Sequence, residues 1–409
     1  MSYPSEKLGK HIDILSGFAF KSKDFADAGV PVIKIKNVTP PNVSLEDVSY
    51  ISDEIAKQQK KFQVHYNDIV IALTGSHINQ MASVVGRIAR VKFYDKALLN
   101  QRVGKIYSID ATSCNLDYVY YFLSQEKVKI ELASKAGGAA NQANISPSDV
   151  KNLYIPFPEI KIQQRIANIL LAYDNLIENN QKQIKLLEEA AQRLYKEWFV
   201  DLRFPGYETT PVVDGVPGGW KVYRFSEKVD IMSGGTPKTD NANFYGGKIP
   251  FYTPKDSNGD FFALSTITSI TEEGLNNCNS QLYPANTVII TARGTVGKTT
   301  LLAVPMAMNQ SCYALKSDEL NAPYYLFFAL NKEIAALKTM ANGGVFNTII
   351  VKTFESIQIT FPANGLIALF ENTVAPVMKQ IKIKLLENRK LTEARDRLLP
   401  KLMSGELEV

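Results

Sequence analysis

Two long stretches of the chain carry apolar residues at alternating steps of three and four. The first runs Ile162, Ile166, Ile169, Tyr173, Leu176, Ile184, Leu187, Ala191, Leu194 and Trp198, with Asn180 in the one missing place. The second runs Leu366, Phe370, Val374, Val377, Ile381, Leu385, Leu391, Leu398 and Leu402. This spacing predicts two amphipathic helices. Two similar, narrow stripes in one chain are most simply satisfied by pairing with each other along a coiled-coil seam, the alternative being that each helix packs on its own globule. A first helix of about 36 residues would be about 54 Å long at 1.5 Å per residue. Pro376 predicts a kink in the second helix, or a fresh start after Thr373.

Ahead of each stripe the pattern changes to short β-branched runs bounded by Gly, Pro, Asn or Asp. Val32–Ile35, Ile69–Leu73, Val288–Thr291 and Ile357–Phe361 read as strands. Asp117–Gln125 and Pro323–Leu330 are dense in aromatic residues and read as short helices, with Pro323 suited to a first turn. The two halves also match in order. Asp13-Ile-Leu-Ser-Gly17 is answered by Asp230-Ile-Met-Ser-Gly234, Asn67–Gly75 by Asn286–Gly294, and Asn100-Gln101 by Asn309-Gln310. Ala136–Gly138 is answered by Asn342–Gly344, Pro156–Pro158 by Thr360–Pro362, and Ile184–Glu188 by Ile383–Glu387. Six ordered matches make one module present twice, with its insertions in loops. An approximate twofold relation between the copies predicts that the long helices run antiparallel. Between the modules, Arg203–Tyr207 through Val216–Trp220 is rich in Gly and Pro and reads as a linker.

Composition narrows the class. At 409 residues with 45% hydrophobic and 21% charged, the chain is globular and long enough for more than one core. A polar start and the lack of any apolar run near 18 residues predict a cytoplasmic protein with no membrane span. Three scattered cysteines, Cys114, Cys278 and Cys312, and three histidines predict neither a disulfide framework nor a bound metal. The net charge of +5 permits an acidic partner without requiring one. The first long helix balances its basic and acidic residues, which sets it apart from a nucleic-acid-binding helix.

The sharpest chemical motif is Ala292-Arg-Gly-Thr-Val-Gly-Lys-Thr299, a loose phosphate-loop pattern. Such a loop must open a helix, whereas Thr300–Pro305 reads as another strand, and the sister loop from Thr74 lacks Gly-Lys-Thr. A hairpin tip bearing Arg293 and Lys298 is the better reading. No carboxylate pair recurs in both copies, and His11, His65 and His77 have no counterparts, so no catalytic residue is expected. Polar loop residues do recur at matching places. The first copy offers Lys34, Lys36, Asn37, Ser76, His77, Asn79, Gln80, Arg87, Asn100, Gln101, Arg102, Asn141, Gln142 and Asn144. The second offers Thr236, Lys238, Lys255, Asp256, Arg293, Thr295, Lys298, Asn309, Gln310 and Asn347. Asn, Gln and Arg suit base edges, while Lys, Ser and Thr suit phosphates. The same placement with different residues predicts two different ligand patterns.

With these motifs in hand, the chain resembles the specificity subunits of type I restriction-modification systems (HsdS family) along essentially its whole length. The resemblance is carried by Pro156–Pro158 leading into Gln163-Gln-Arg-Ile166, by Glu197–Gly206, by Gly218-Gly-Trp220 and by Arg395–Leu407. It implies an α+β chain with two similar mixed α/β target-recognition domains, separated by two long helices that pair as an antiparallel coiled coil. The expected boundaries are 1–157 for the first domain, 158–203 for the first helix, 204–219 for the linker, 220–361 for the second domain, and 362–409 for the second helix and tail. The resemblance implies a non-catalytic subunit that reads a two-part asymmetric site in double-stranded DNA. Its implied partners are two methyltransferase subunits and, in some systems, restriction endonuclease subunits. S-adenosylmethionine, Mg and ATP are then expected on those partners and no cofactor on this chain. The DNA-contact candidates are Lys34, Lys36, Asn37, Ser76, His77, Asn79, Gln80, Arg87, Arg102, Lys238, Lys255, Arg293, Thr295 and Lys298. The seam candidates are Ile166, Ile169, Tyr173, Ile184, Leu187, Leu194, Trp198, Phe370, Val377, Ile381, Leu385, Leu391 and Leu398. A phosphate-loop NTPase with a helical arm and a non-catalytic tandem adaptor are the alternatives.

Overall fold

The computed structural model describes residues 3–77, 80, 84–137, 142–317, 321–340, 348–362 and 364–409. The chain divides into two compact units, Met1–Leu176 with Leu391–Val409, and Ile177–Lys390. The division therefore cuts through both long helices.

In the first unit, strands β1 (Ser5–Lys7), β2 (Ile12–Ser16), β3 (Val30–Ile33), β4 (Ile69–Ala72), β5 (Ile88–Arg90), β6 (Ala97–Leu99), β7 (Val103–Ser108) and β8 (Tyr154–Pro156) surround helices α1 (Leu116–Ser124) and α2 (Glu126–Lys135). One sheet has the order β2-β7-β4-β5 and continues into two-residue strands at Asn42–Val43 and Val38–Thr39. A second sheet pairs β3 parallel to β6, with Val32 opposite Leu98. β1 and β8 pair antiparallel and bring the two ends of the domain together. β4 is buried at all four positions, as its unbroken apolar run requires of a central strand.

The second unit repeats this plan with β9 (Lys221–Arg224), β10 (Asp230–Ser233), β11 (Tyr245–Tyr252), β12 (Val288–Thr291), β13 (Thr299–Leu302), β14 (Ala307–Met308), β15 (Cys312–Lys316) and β16 (Gln358–Phe361). Its main sheet has the order β10-β15-β12-β13 and ends on Phe262–Ala263. β11 runs parallel to β14, and β9 pairs antiparallel with β16. Finer detail repeats too. The Tyr118 hydroxyl donates to the Pro156 carbonyl at 2.6 Å, and the Tyr325 hydroxyl to the Thr360 carbonyl at 3.1 Å. These are matching positions just ahead of Phe157-Pro158 and Phe361-Pro362.

Helix α3 spans Ile160–Phe199, and the aromatic helix of the second unit, α4, spans Pro323–Met340, well beyond Leu330. Helix α5 spans Asn364–Ser404 without a break. A fresh start after Thr373 does not occur. Proline removes one backbone donor, and a helix already packed along much of its length can absorb that loss.

The seam is reassigned in part. In the first unit Ile166, Ala167 and Leu170 of α3 share one apolar cluster with Leu402 and Met403 of α5 and with Tyr118, Leu123, Ile155 and Phe157 of the domain. In the second unit Ile184, Ala191, Tyr195 and Phe199 of α3 join Phe370, Val374, Met378, Ile381 and Leu385 of α5, together with Tyr325 and Phe328. Leu187, Leu194, Trp198 and Val377 pack at the edge of that cluster, as Leu398 does in the first unit. Ile169 and Leu176, by contrast, are exposed, while Tyr173 and Leu391 are half-buried. The correction has a geometric cause. Each helix faces a domain as well as its partner helix, so the buried face is wider than a two-position stripe and follows the 3.6-residue turn. Within each unit the contacts order the helices antiparallel. Arg165 reaches Val409 while Asp174 reaches Arg395 in the first. In the second, Asn180 reaches Glu387 and Trp198 packs on Phe370.

The segment 204–219 is more than a connector. It contains a small hairpin, Val212–Val213 against Val216–Pro217, and its flanking rings Phe204 and Trp220 are buried 5.1 Å apart. Among the described residues no helix is long and apolar enough to cross a membrane.

Candidate nucleic-acid interface

The same backbone device builds the candidate surface in both units. β6 and β7 are joined by a turn at Asn100–Arg102, and β14 and β15 by a turn at Asn309–Ser311. The strand end before β3 packs on the first turn through Gly17, and the matching strand end packs on the second through Gly234. A Cβ at Gly17 would lie 2.4 Å from the carbonyl oxygens of both Leu99 and Asn100. A Cβ at Gly234 would lie 2.3 Å from the Asn309 oxygen. Only glycine permits this approach, so the repeated Ser-Gly and Asn-Gln motifs are two sides of one contact.

Next to this turn stands the hairpin that leaves the central strand. In the second unit every residue of it is described. Buried Thr291 organises the neck: its backbone N–H donates to the Lys298 carbonyl at 2.9 Å, Gly297 N–H donates to the Thr291 carbonyl at 2.8 Å, and Lys298 N–H donates to the Thr291 hydroxyl at 3.0 Å. That hydroxyl in turn donates to the Thr295 carbonyl. The Thr295 hydroxyl donates to the Pro254 carbonyl at 3.3 Å and so sets Lys255 beside the tip. Thr236 donates to Gln310, which ties the strand end to the turn. Lys238, Lys255, Arg293 and Lys298 are exposed around this frame. Asp256 is structural, because its carboxylate accepts from Thr253 N–H at 2.8 Å and from Ile267 N–H at 2.7 Å. β13 follows the tip at Thr299, so no helix N-terminus faces the Gly297-Lys298-Thr299 motif, and the phosphate-loop reading fails on geometry.

In the first unit the Thr74 hydroxyl donates to the Asn144 amide oxygen at 2.7 Å, and Leu73 N–H donates to the Arg102 carbonyl at 2.9 Å. Gln101 and Arg102 are exposed, His77 is half-buried, and Gln80 and Gln142 are exposed. Ser76 is buried and donates to the Gln80 carbonyl at 2.7 Å, an internal turn contact. Asn79, Asn141 and Asn347 lie outside the described residues.

Three candidates in the first unit are drawn into structural work. Asn37 is 1% exposed, accepts from Lys34 N–H at 3.0 Å and donates to the Glu46 carbonyl. The Lys34 ammonium sits 3.8 Å from the Phe25 ring centre and donates to Ser49, and burial lowers its pKa. Arg87 is half-buried and donates to the Ile35 carbonyl at 3.0 Å, with its pKa lowered by burial. Lys36 is exposed but paired with Asp47 at 2.6 Å. Asn37, Lys34 and Arg87 read as exposed polar residues in the linear pattern because short strands leave the inside and outside of a loop indistinguishable. Lys338, by contrast, lies eight residues beyond the aromatic stretch that ends at Leu330, and only the fold carries its ammonium to the Gly297 carbonyl, at 3.3 Å.

Among the described residues no group of three His, Cys, Asp or Glu side chains is placed to hold a metal ion. The arrangement offers hydrogen-bond donors and positive charge on loops held by a rigid sheet, the equipment of a reading surface.

The model of the type I restriction modification DNA specificity domain matches residues 6–189 and again 217–368. The HindI specificity subunit of Haemophilus influenzae is 25% identical over 387 residues, covering 78% of this chain and 84% of that one. The MjaIX specificity subunit of Methanocaldococcus jannaschii is 28% identical over 308 residues, covering 72% and 69%. A crystal structure of a type I restriction-modification S subunit from M. genitalium has the same fold, with a TM-score of 0.61 over 98% of this chain and 96% of that one, at 18% identity.

Proposed function

This chain belongs to the type I restriction-modification DNA specificity family, a non-catalytic class of subunit, and from that premise we propose that each module reads one half of a two-part, asymmetric site in duplex DNA. The observation that carries the reading is the duplicated frame with unlike readers. Gly17 on Asn100 and Gly234 on Asn309 place the same turn beside the same hairpin. Gln101, Arg102 and His77 stand there in one unit; Lys255, Arg293, Thr295 and Lys298 stand there in the other. One backbone with two side-chain sets specifies two different half-sites.

The helices serve a second role in this proposal, as the mount for two adenine-methylating subunits and, where the system has them, restriction subunits. S-adenosylmethionine, Mg and ATP then belong to those partners. The test is methylation mapping on the assembled methylating complex. Arg293→Ala should relax the methylated sequence at a position in one half-site and leave the other half unchanged. Truncating a bidentate guanine contact costs about 1–3 kcal/mol at that position. Loss of sequence preference in both halves at once would overturn the division of labour.

A further inference from the structure

Gly86 and Gly297 hold the same place in the two hairpins. Both have positive φ, +82° and +74°, and each donates its N–H across the hairpin neck, Gly86 to Ala72 at 2.9 Å and Gly297 to Thr291 at 2.8 Å. What covers them differs. Leu132 and Ile145 lie over Gly86, both apolar and buried. Ile334 and the end of Lys338 lie over Gly297, each 3.0 Å from where a Cβ would stand. Ile334 meets the packing need that Leu132 meets in the sister unit, so the fold has no requirement for an ammonium there.

Lys338 is exposed, yet its ammonium turns back onto the hairpin neck. Asn331, Ile334 and Lys338 fall on one face of α4, which lies along the hairpin. The Thr299 hydroxyl donates to Asn331 at 2.5 Å, and Asn331 donates back to the Phe327 carbonyl at 2.9 Å. Lys298 projects from the same neck, exposed. Among the described residues neither lysine is paired with a carboxylate, and the Lys338 ammonium donates to the Gly297 carbonyl. Burial and the charge of Lys298 both lower the Lys338 pKa, burial more strongly. Two like charges on one hairpin neck favour an anion between them.

We propose that Lys298 and Lys338 together hold one phosphate of the DNA backbone, and that this contact sets the register in which Arg293, on the same hairpin, meets a base edge. The inference rests on the DNA-reading function proposed above and adds a positioning contact to it, since phosphate contacts fix register while base contacts specify. The described part of the first hairpin has apolar cover at the matching place, so the clamp belongs to one half-site.

The experiment measures binding of the assembled complex to a duplex carrying its methylated site and to a scrambled duplex, from about 50 to 200 mM salt. Lys338→Gln should weaken both by the same factor, roughly three- to tenfold, and reduce the slope of log K against log salt by about 0.9. The ratio of wild-type to variant affinity should then shrink about 3.5-fold across that salt range. Lys338→Arg should restore the slope. Lys298→Gln, on an exposed side chain, should lower the slope equally, which separates a lost phosphate from a damaged fold. An unchanged slope in both Gln variants, with wild-type binding intact, would overturn the clamp and leave DNA reading standing. A loss confined to the target duplex would make Lys338 a base reader and likewise overturn it. Wild-type complex that binds neither duplex would overturn both proposals.

Discussion

Asp174 of the first long helix and Arg395 of the second form a carboxylate–guanidinium pair at 2.6 Å, and the same carboxylate accepts the Tyr121 hydroxyl at 2.5 Å. One side chain thus joins both helices to the aromatic helix of the first domain. All three line a groove of about 850 Å³ within that unit. The matching region of the second unit uses rings instead: Tyr195, Phe199, Tyr325, Phe328 and Phe370 stack and cross at 5.0–6.4 Å.

Removing Asp174 should therefore damage one unit selectively. Asp174→Ala leaves the buried Tyr121 phenol without its acceptor and the Arg395 guanidinium with Asp396 as its remaining carboxylate, which costs about 1–3 kcal/mol. Differential hydrogen exchange should show faster opening of 116–124 and 391–403 with little change in 358–361. A double-mutant cycle with Arg395→Ala should give a coupling above about 0.5 kcal/mol.

Gly17→Ala and Gly234→Ala should each force the adjoining turn to move, because the intruding Cβ meets backbone oxygens rather than a side chain that can rotate. The expected destabilisation is about 1–3 kcal/mol. In methylation mapping, each variant should blur only the half-site read by its own unit. Equal damage to both halves would show that the two turns do not act separately.

Glu371 accepts from Tyr325 N–H at 2.6 Å near the start of α4, and burial raises its pKa to about 7. A carboxyl with a raised folded-state pKa stabilises the fold most below its unfolded value of 4.5, and that contribution is lost as pH rises through about 7. Glu371→Gln keeps an acceptor but cannot ionise. Its unfolding free energy should fall less than that of wild type between about pH 5 and 8, by on the order of 2 kcal/mol. Parallel curves would mean that Glu371 ionises normally.

Lys298→Ala should leave ATP hydrolysis by the full complex unchanged once DNA is saturating, since strand β13 occupies the place where a phosphate-binding helix would begin. Hydrolysis abolished at saturating DNA would return the nucleotide reading.

Much was legible in the linear chain. Periodicity at 3.6 residues marked both long helices, because apolar faces must be buried whatever they meet. The internal repeat marked the two domains and paired their Gly, Asn-Gln and Phe-Pro motifs, since backbone approaches as close as those at Gly17 and Gly234 admit no other residue. Tertiary structure decided what lies inside each loop. It buried Asn37, set Lys34 against Phe25 and exposed Ile169, because a loop's inner and outer sides share the same short stretch of sequence and a helix packed on two neighbours buries more than one stripe. It also carried α5 through Pro376 and placed Lys338 beside Lys298, forty residues away in the chain. Such a pairing arises only when α4 packs along the hairpin, and no local pattern encodes it.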